Sequence, residues 1–513
     1  MGRSLFSFKM QTKITNKVKK YLLSLVVFIS GFSVMSIEIT GSRILAPSIG
    51  TSIIAWTSLI GIVLACLSLG YYLGGEVADK YPKTEVLGLI IGTASVYLFA
   101  IGLLNIPILT FLRERISDLL KLSVISSLVL FGLPSVLLGM VAPFAMKLSI
   151  KNINKAGRVS GNLYAISTMG SILGTFLTGL YLIPVMGSSN LLLLSALMLL
   201  MSAFLMFLTT KITLKKSLFF LFFSVFAGLS MINYDPPSIG FYDKDSKYNR
   251  IILDIITRSS SKRPVLALIS GRYLDQFQSG MYLDNESELV AGYTKYYRLV
   301  NHFLKDPKEV LMIGGGGYSY PKDFLNTNPK AKIDVIEIDE EITVMARKYF
   351  NLPDNPQLTI YHEDGRLFLN NNKKQYDAIF LDVYSGDSSM PFYLTTEEAL
   401  LEMKTALKDD GVIIMNVVSA VKGEKGKFFQ AEYNTYKKVF PQVYFFPFKE
   451  DMFIPQNIIL VASKNHETLS FESANREYAG YLSNVYRGEI LSDMPVLTDD
   501  YAPVEYYLYE RLK

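Results

Sequence analysis

Four consecutive glycines, Gly314, Gly315, Gly316 and Gly317, stand directly behind the apolar run Glu309–Ile313. Such a run reads as a buried parallel strand. A glycine turn between a strand and a helix lets backbone N–H groups approach a ligand closely. A helix can follow from Pro321, and a second strand, Ile333–Ile338, follows at βαβ spacing with Glu337 and Asp339 at its end. An acid about 20 positions past the glycines accepts ribose hydroxyls in folds of this kind. Strand, glycines, helix, strand and acid in that order predict a nucleoside site. A glycine turn kept only for packing is the plainer reading, but four glycines in a row make it costly in unfolded-state entropy.

More acids sit where strands should end. Leu358–Tyr361 leads to Asp364 and Gly365, and Tyr376–Leu381 leads to Asp382 and Asp387. In an open parallel sheet ligands bind at the carboxyl ends of the strands, so these acids are expected on the rim that carries the glycines. Each one alone could be a helix N-cap or a turn carboxylate. Gly411–Val417 supplies one more strand. Ahead of the glycines, Tyr248–Thr257, Val265–Ser270 and Gln276–Asp284 read as strands of a small β domain, and Asn285–Leu304 reads as a helix. The expected organisation is a small β domain over 241–285 and a Rossmann-like α/β domain over 286–513.

The first 235 residues differ in composition. The chain has 513 residues, half of them hydrophobic, and the excess lies here. Seven long apolar runs cover Tyr21–Gly41, Ile53–Gly75, Val86–Leu109, Leu122–Met146, Val159–Val185, Asn190–Leu208 and Ser217–Ile232. A bilayer core takes about 20 apolar residues as a helix. The first six runs meet that, and the seventh is marginal. A multi-pass membrane domain over 1–235, in contact with the lipid bilayer of a cell membrane, is therefore expected. The first run is too long for a cleaved signal peptide and carries Glu38. Lysines and arginines crowd the N-terminal tail and the loops after the second, fourth and sixth runs, which places the N-terminus in the cytoplasm. Six spans return the chain to the cytoplasm; a seventh would carry it outside. Glu38 and Arg43 read as an interfacial pair at a helix end or as a functional site at membrane depth. Gly61, Ala65, Gly70 and Gly74, and Gly170, Gly174 and Gly179, allow close helix approach. The stretch Gly74–Lys80 resembles a loop of major-facilitator transporters.

Several chemistries are disfavoured. The single cysteine, Cys66, lies in an apolar run, and the three histidines are scattered, so no metal site is expected. A net charge of +5 is too small for this length to suggest nucleic acid.

At these residues the chain resembles the spermidine synthases, the polyamine aminopropyltransferases, and in particular their membrane-fused relatives. The resemblance rests on Glu38–Pro47 and Ser68–Gly75 in the apolar half. In the other half it rests on Gln278-Ser279-Gly280, Gly314 to Gly316, Glu337-Ile338-Asp339, Asp364-Gly365, Asp382 and Thr498–Glu505. It implies S-adenosylmethionine, or its decarboxylated form, as co-substrate and a small-molecule amine as acceptor, and it leaves a homodimer open. Glu337 would hold the ribose and Asp364 the adenine amine, with Gly365 and Gln278 in the same group. Asp382 would take a proton from the attacking amine, and Tyr293 and Asp387 would face the acceptor. The chain departs from the pattern at Gly317, where the family has an amine-gripping Asp. It also departs at Gly292 and Tyr293, where the family has Tyr-His, and at Asp387, which lies two residues later than expected. Two other readings stand beside this one: a methyltransferase using intact S-adenosylmethionine, and a membrane transport or sensing protein with a nucleoside-binding domain.

Overall fold

The computed structural model describes residues 2–49, 53–116, 118–208, 240–248, 250–257, 262–269, 277–384, 390–488, 490 and 492–512. The chain divides into two units, Met1–Ser238 and Ile239–Lys513.

The N-terminal unit is helical. Its elements are α1 (Gly2–Ile49), α2 (Ile53–Lys80), α3 (Thr84–Arg115), α4 (Leu119–Ser127), α5 (Leu133–Gly139), α6 (Val141–Ser149), α7 (Ala156–Leu177), α8 (Ile183–Met186) and α9 (Ser188–Leu208). Among the described residues six helical stretches are long and apolar enough to cross a membrane: Val18–Ala46, Ile53–Lys80, Thr84–Arg115, Leu119–Ser149, Ile153–Leu182 and Ser188–Phe207. The seventh apolar run, 217–232, lies outside the described residues. Two stretches widen into π-helix, Leu128–Gly132 and Thr178–Leu182. Each lies just ahead of a proline in the sequence, Pro134 or Pro184, which has no N–H to donate. Glycine sets the closest helix contacts. A Cβ on Gly170 would lie 2.1 Å from the Phe28 carbonyl oxygen, and one on Gly70 would lie 2.2 Å from that of Val136. Gly61 and Gly179, expected in the same role, face open space. The expected Glu38–Arg43 pair does not form. Glu38 makes no hydrogen bond or ion pair among the described residues, although Arg43 does have a partner.

The C-terminal unit holds two sheets. The smaller is an antiparallel meander, β1 (Tyr242–Asp245), β2 (Arg250–Thr257), β3 (Pro264–Ile269) and β4 (Ser279–Tyr282). The larger has seven strands: β5 (Glu309–Ile313), β6 (Lys332–Ile336), β7 (Leu358–Tyr361), β8 (Tyr376–Leu381), β9 (Leu407–Ser419), β10 (Gln442–Pro447) and β11 (Gln456–Ser463). Their order is β10-β11-β9-β8-β5-β6-β7. Strands β5 to β9 pair in parallel, and β11 and β10 add an antiparallel edge. The central strands are apolar throughout because both faces are covered. In β5, Leu311 and Ile313 enter one core, while Val310 and Met312 enter the other. In β8, Ile379 and Leu381 divide from Ala378 and Phe380 in the same way. The chain leaves β5 toward β6 and β7, then returns to β8 on its other side. That reversal opens a crevice at the carboxyl ends of β5 and β8.

The helix expected over Asn285–Leu304 begins only at Gly292. Before it, Arg263 binds Asp284 and Glu288, and Leu289 forms a bridge to Met281, which holds the chain in turns. From Gly292 the helix is interrupted by a 3-10 turn at Tyr297–Leu299.

Candidate active site

The glycines form a turn between β5 and the following helix, but the N–H groups of Gly314, Gly315 and Gly316, expected to face a ligand, are taken by the protein itself. Gly314, with φ +98°, donates its N–H to Ile336 O at 2.9 Å. A Cβ there would sit 2.2 Å from the Asp382 carbonyl oxygen, so the turn packs directly on the end of β8. Gly316 also takes a positive φ, +50°. The N–H groups of Gly315 and Gly316 donate to Glu337 Oε2 at 3.0 and 3.2 Å, and the Asp339 N–H donates to Oε1 at 3.0 Å. Burial pushes the Glu337 carboxyl up, and these three donors oppose the push. A carboxylate has about four acceptor positions, and these donors take three of them, two on Oε2 and one on Oε1. Asp339 caps the helix Glu340–Tyr349 and accepts from the Ser246 hydroxyl, just after β1.

Asp364 is an N-cap. Its Oδ1 accepts from the N–H groups of Arg366 and Leu367, and its Oδ2 accepts from the Tyr393 hydroxyl at 2.9 Å. The residue therefore has a local duty whether or not it touches a ligand. Gly365 fits where a Cβ would meet Ile313 Cγ2 at 2.7 Å.

Asp382 follows β8 and is half-buried. Burial pushes its carboxyl up to about 6, against three donors that lower it: Asn416, Tyr293 and Tyr297. Asn416 Nδ2 donates to Oδ1 at 3.2 Å and is itself oriented by Asn457 at 2.9 Å. Tyr293 and Tyr297 lie one helical turn apart with their rings 5.9 Å apart, and both phenols bear on Asp382. The Tyr297 hydroxyl is buried, and the contact with Asp382 falls short of full hydrogen-bond geometry. The Tyr384 hydroxyl spans Asn416 O and Val418 N–H, and Gln278 Nε2 donates to Tyr384 O at 2.5 Å. Gln278 thus ties the small sheet to the loop after β8.

Gly314, Gly315, Gly316, Glu337, Asp382, Tyr293 and Gln278 are brought to one rim, with Asp364 and Gly365 at the head of a neighbouring helix. Asp387 lies outside the described residues. Tyr297, Tyr384 and Asn416 were not singled out from the sequence. Asn416 carried a signal, as the one polar residue between Val412 and Val418, and Tyr297 repeats Tyr293 at i+4.

The place of Gly317 is closed. A Cβ there would lie 2.7 Å from Ser279 Oγ and 3.0 Å from the Phe350 ring. The next residue, Tyr318, is fully buried in a left-handed conformation, with its hydroxyl 2.6 Å from Thr343 Oγ1.

Residues 294–472 match the spermine/spermidine synthase domain. A polyamine aminopropyltransferase of Vibrio vulnificus is 30% identical over 152 residues, 29% of this chain and 49% of that protein. A "probable polyamine aminopropyl transferase" of Bifidobacterium longum is 27% identical over 201 residues, 39% of this chain and 42% of that protein. The chain thus spans less than half the length of these two curated relatives. Among solved structures, a "probable spermidine synthase" of Corynebacterium glutamicum aligns at 18% identity and TM-score 0.41, covering 51% of this chain and 96% of that one. The stretch that matches this domain, residues 294–472, contains all seven strands of the larger, Rossmann-like sheet.

Proposed function

We propose that the chain is a membrane-bound aminopropyltransferase that moves an aminopropyl group from decarboxylated S-adenosylmethionine to a polyamine or related amine. The observation that carries the reading is Asp382, half-buried beside the glycine turn, held up to about 6 and faced by two phenols. An amine is protonated at neutral pH and cannot attack. Asp382 is ionised above about 6, so at neutral pH it can take that proton. The glycine turn and Glu337 would hold the adenosyl part: two positive-φ glycines leave no Cβ in the way, and Glu337 retains an acceptor position. The bound sulfonium supplies the leaving group. The amine nitrogen forms the new N–C bond, the C–S bond breaks with its electrons going to sulfur, and the proton goes to Asp382. Positioning by Tyr293, Tyr297 and Asn416 supports the remaining rate enhancement.

The six apolar helices among the described residues support insertion in a cell membrane, and the lysines and arginines of the N-terminal tail and of the loops after the second, fourth and sixth apolar runs support a cytoplasmic N-terminus. The test is product mass spectrometry with the purified full chain, a labelled donor and candidate amines. Asp382→Asn keeps the shape and removes the base; turnover should fall about 10²–10⁴-fold with donor binding unchanged. Equal turnover in the variant would remove Asp382 from the mechanism.

One observation favours a second reading, methyl transfer from intact S-adenosylmethionine. The place where the resemblance expects an acid to grip the donor's amine is Gly317, and Ser279 and Phe350 fill the space beside it. Labelled methyl transfer in the same assay would select this reading.

A further inference from the structure

The stretch Thr498–Glu505 helps to carry the family resemblance, yet the site described above makes no use of it. It lies beyond residues 294–472, and its contacts lead back into the site. Thr498 and Tyr501 exchange backbone hydrogen bonds, at 3.0 and 3.1 Å, and close a turn. Leu497, just ahead, is fully buried. Its N–H donates to Thr435 Oγ1 at 2.9 Å, and its carbonyl accepts from the Glu397 N–H at 2.8 Å. The turn is thereby fixed against the start of the helix Glu397–Ala406.

Asp499 is where this turn meets Arg366. Arg366 Nη2 donates to Asp499 Oδ2 at 3.0 Å, and the Thr396 hydroxyl donates to Oδ1 at 2.6 Å. The rest of the guanidinium is also committed. Its Nε lies 3.1 Å from a Glu402 oxygen, and its Nη1 donates to Tyr393 O at 3.0 Å and to Thr396 Oγ1 at 3.2 Å. A guanidinium is a rigid planar fork, so these partners fix its orientation. Arg366 and Tyr393 in turn hold Asp364. The Arg366 N–H donates to Asp364 Oδ1 at 2.8 Å, and the Tyr393 hydroxyl donates to Oδ2 at 2.9 Å. The contacts close a ring that runs from Asp364 through Arg366 to Tyr393 and back. Both oxygens of the carboxylate are held, and the direction in which it faces a ligand depends on where Arg366 holds Tyr393.

We propose that Asp499 is a positioning residue for the nucleoside base: through Arg366 and Tyr393 it holds the Asp364 carboxylate in place to accept from the amine of adenine. This role rests on the reading in which Asp364 meets that amine. It holds for an aminopropyl or a methyl donor alike, since both carry the same base. Asparagine at this position shows why the charge matters. Its amide oxygen can still accept from Thr396, which turns the amide nitrogen toward Arg366 Nη2, donor against donor. Among the described residues Glu402 then remains as the acid within ion-pair distance of Arg366, on the Nε side. The guanidinium is released along its Nη edge, and Tyr393 loses its fixed place beside Asp364.

The test is calorimetric titration of the purified full chain in detergent with 5′-methylthioadenosine and with 5′-methylthioinosine, which carries a carbonyl oxygen in place of the amine. The wild type should prefer the adenosine compound, because a carboxylate accepts from an amine and finds no donor in a carbonyl oxygen. In Asp499→Asn that preference should fall about tenfold, equivalent to about 1.4 kcal/mol, through weaker binding of the adenosine compound. A residue that serves stability alone would weaken both compounds equally and leave the preference unchanged, and that result overturns the proposal. A wild type without the preference, or an Asp364→Ala variant that keeps it, overturns the adenine reading of Asp364 and the proposal with it. Loss of the preference in Asp364→Ala beside its retention in Asp499→Asn overturns the proposal alone. Should Asp499→Asn fail to fold, Arg366→Lys takes its place. Lysine keeps the charge and loses the fork of donors, and an undiminished preference there overturns the proposal equally.

Discussion

Tyr297→Phe separates the electrostatics of the site from its packing. The ring of Tyr297 is fully buried, in edge contact with Tyr320 at 5.0 Å and close to Phe380 at 5.4 Å. Phenylalanine keeps those contacts. The hydroxyl is buried without a full hydrogen bond, so its loss leaves no packing defect and should not reduce stability. Its remaining effect is on Asp382, which it helps to hold ionised against burial. A hydrogen bond to a charged group contributes about 1.5–3 kcal/mol, and an imperfect one toward a half-buried carboxylate should contribute less. About 1 kcal/mol corresponds to a little under one pKa unit. The sign follows: removing a donor that favours the charged form raises the Asp382 value above about 6. A base must be ionised to act, so the acidic limb of the pH–rate profile should move up by about one unit. Turnover well above that limb should change little. The assay is a pH series of amine transfer, with melting curves on the same samples. An unmoved limb combined with a large loss of stability would show that Tyr297 serves the core and not Asp382.

Glu337→Ala should weaken binding of 5′-methylthioadenosine or S-adenosylmethionine by about 1–3 kcal/mol, read by calorimetry; unchanged affinity would remove it from the ribose site. Glu432→Met should stabilise the protein by about 1–3 kcal/mol, because both carboxyl oxygens of Glu432 are buried without a partner. Burial holds that carboxyl above its ordinary range, so native stability falls as pH rises from that range through the folded value. The gain in the variant should therefore grow with pH in melting curves, and a constant gain would contradict this. Asp409→Cys, with Cys66 replaced, should resist a membrane-impermeant thiol reagent in intact cells. The Asp409 side chain is fully exposed, so ready labelling there would place the C-terminal unit outside.

Much of the fold was legible because period and composition act locally. The strands β5 and β8 were readable to the residue, since each is a short, largely apolar run that ends at a glycine or an acid, and β7 was readable from its β-branched and aromatic residues ahead of Glu363-Asp364-Gly365. The helix over Asn285–Leu304 was misjudged for a long-range reason. Residues 285–291 carry no helix breaker, yet Arg263, more than 20 positions earlier, binds Asp284 and Glu288 and holds a turn. Tyr318 was equally hidden. No local rule puts a tyrosine in the left-handed region, and only its burial against Thr343 explains its conformation there.

The candidate site divides along the same line. Residues that meet a ligand through backbone geometry are encoded by short signals, such as a run of glycines or an acid after a strand. Residues that tune an acid are encoded by tertiary contact. Asn416 acts on Asp382 from the next strand, 34 residues further along the chain, and Tyr297 acts from a helix ahead of β5. The same distinction bears on Gly317. From sequence alone it is a missing acid. In the fold it is a position where Ser279 Oγ and the Phe350 ring leave no room for a side chain. An acid restored there would meet the Ser279 hydroxyl and the Phe350 ring at once, so its entry calls for a shift of those side chains, a cost that the missing acid at Gly317 does not reveal when it is read from sequence alone.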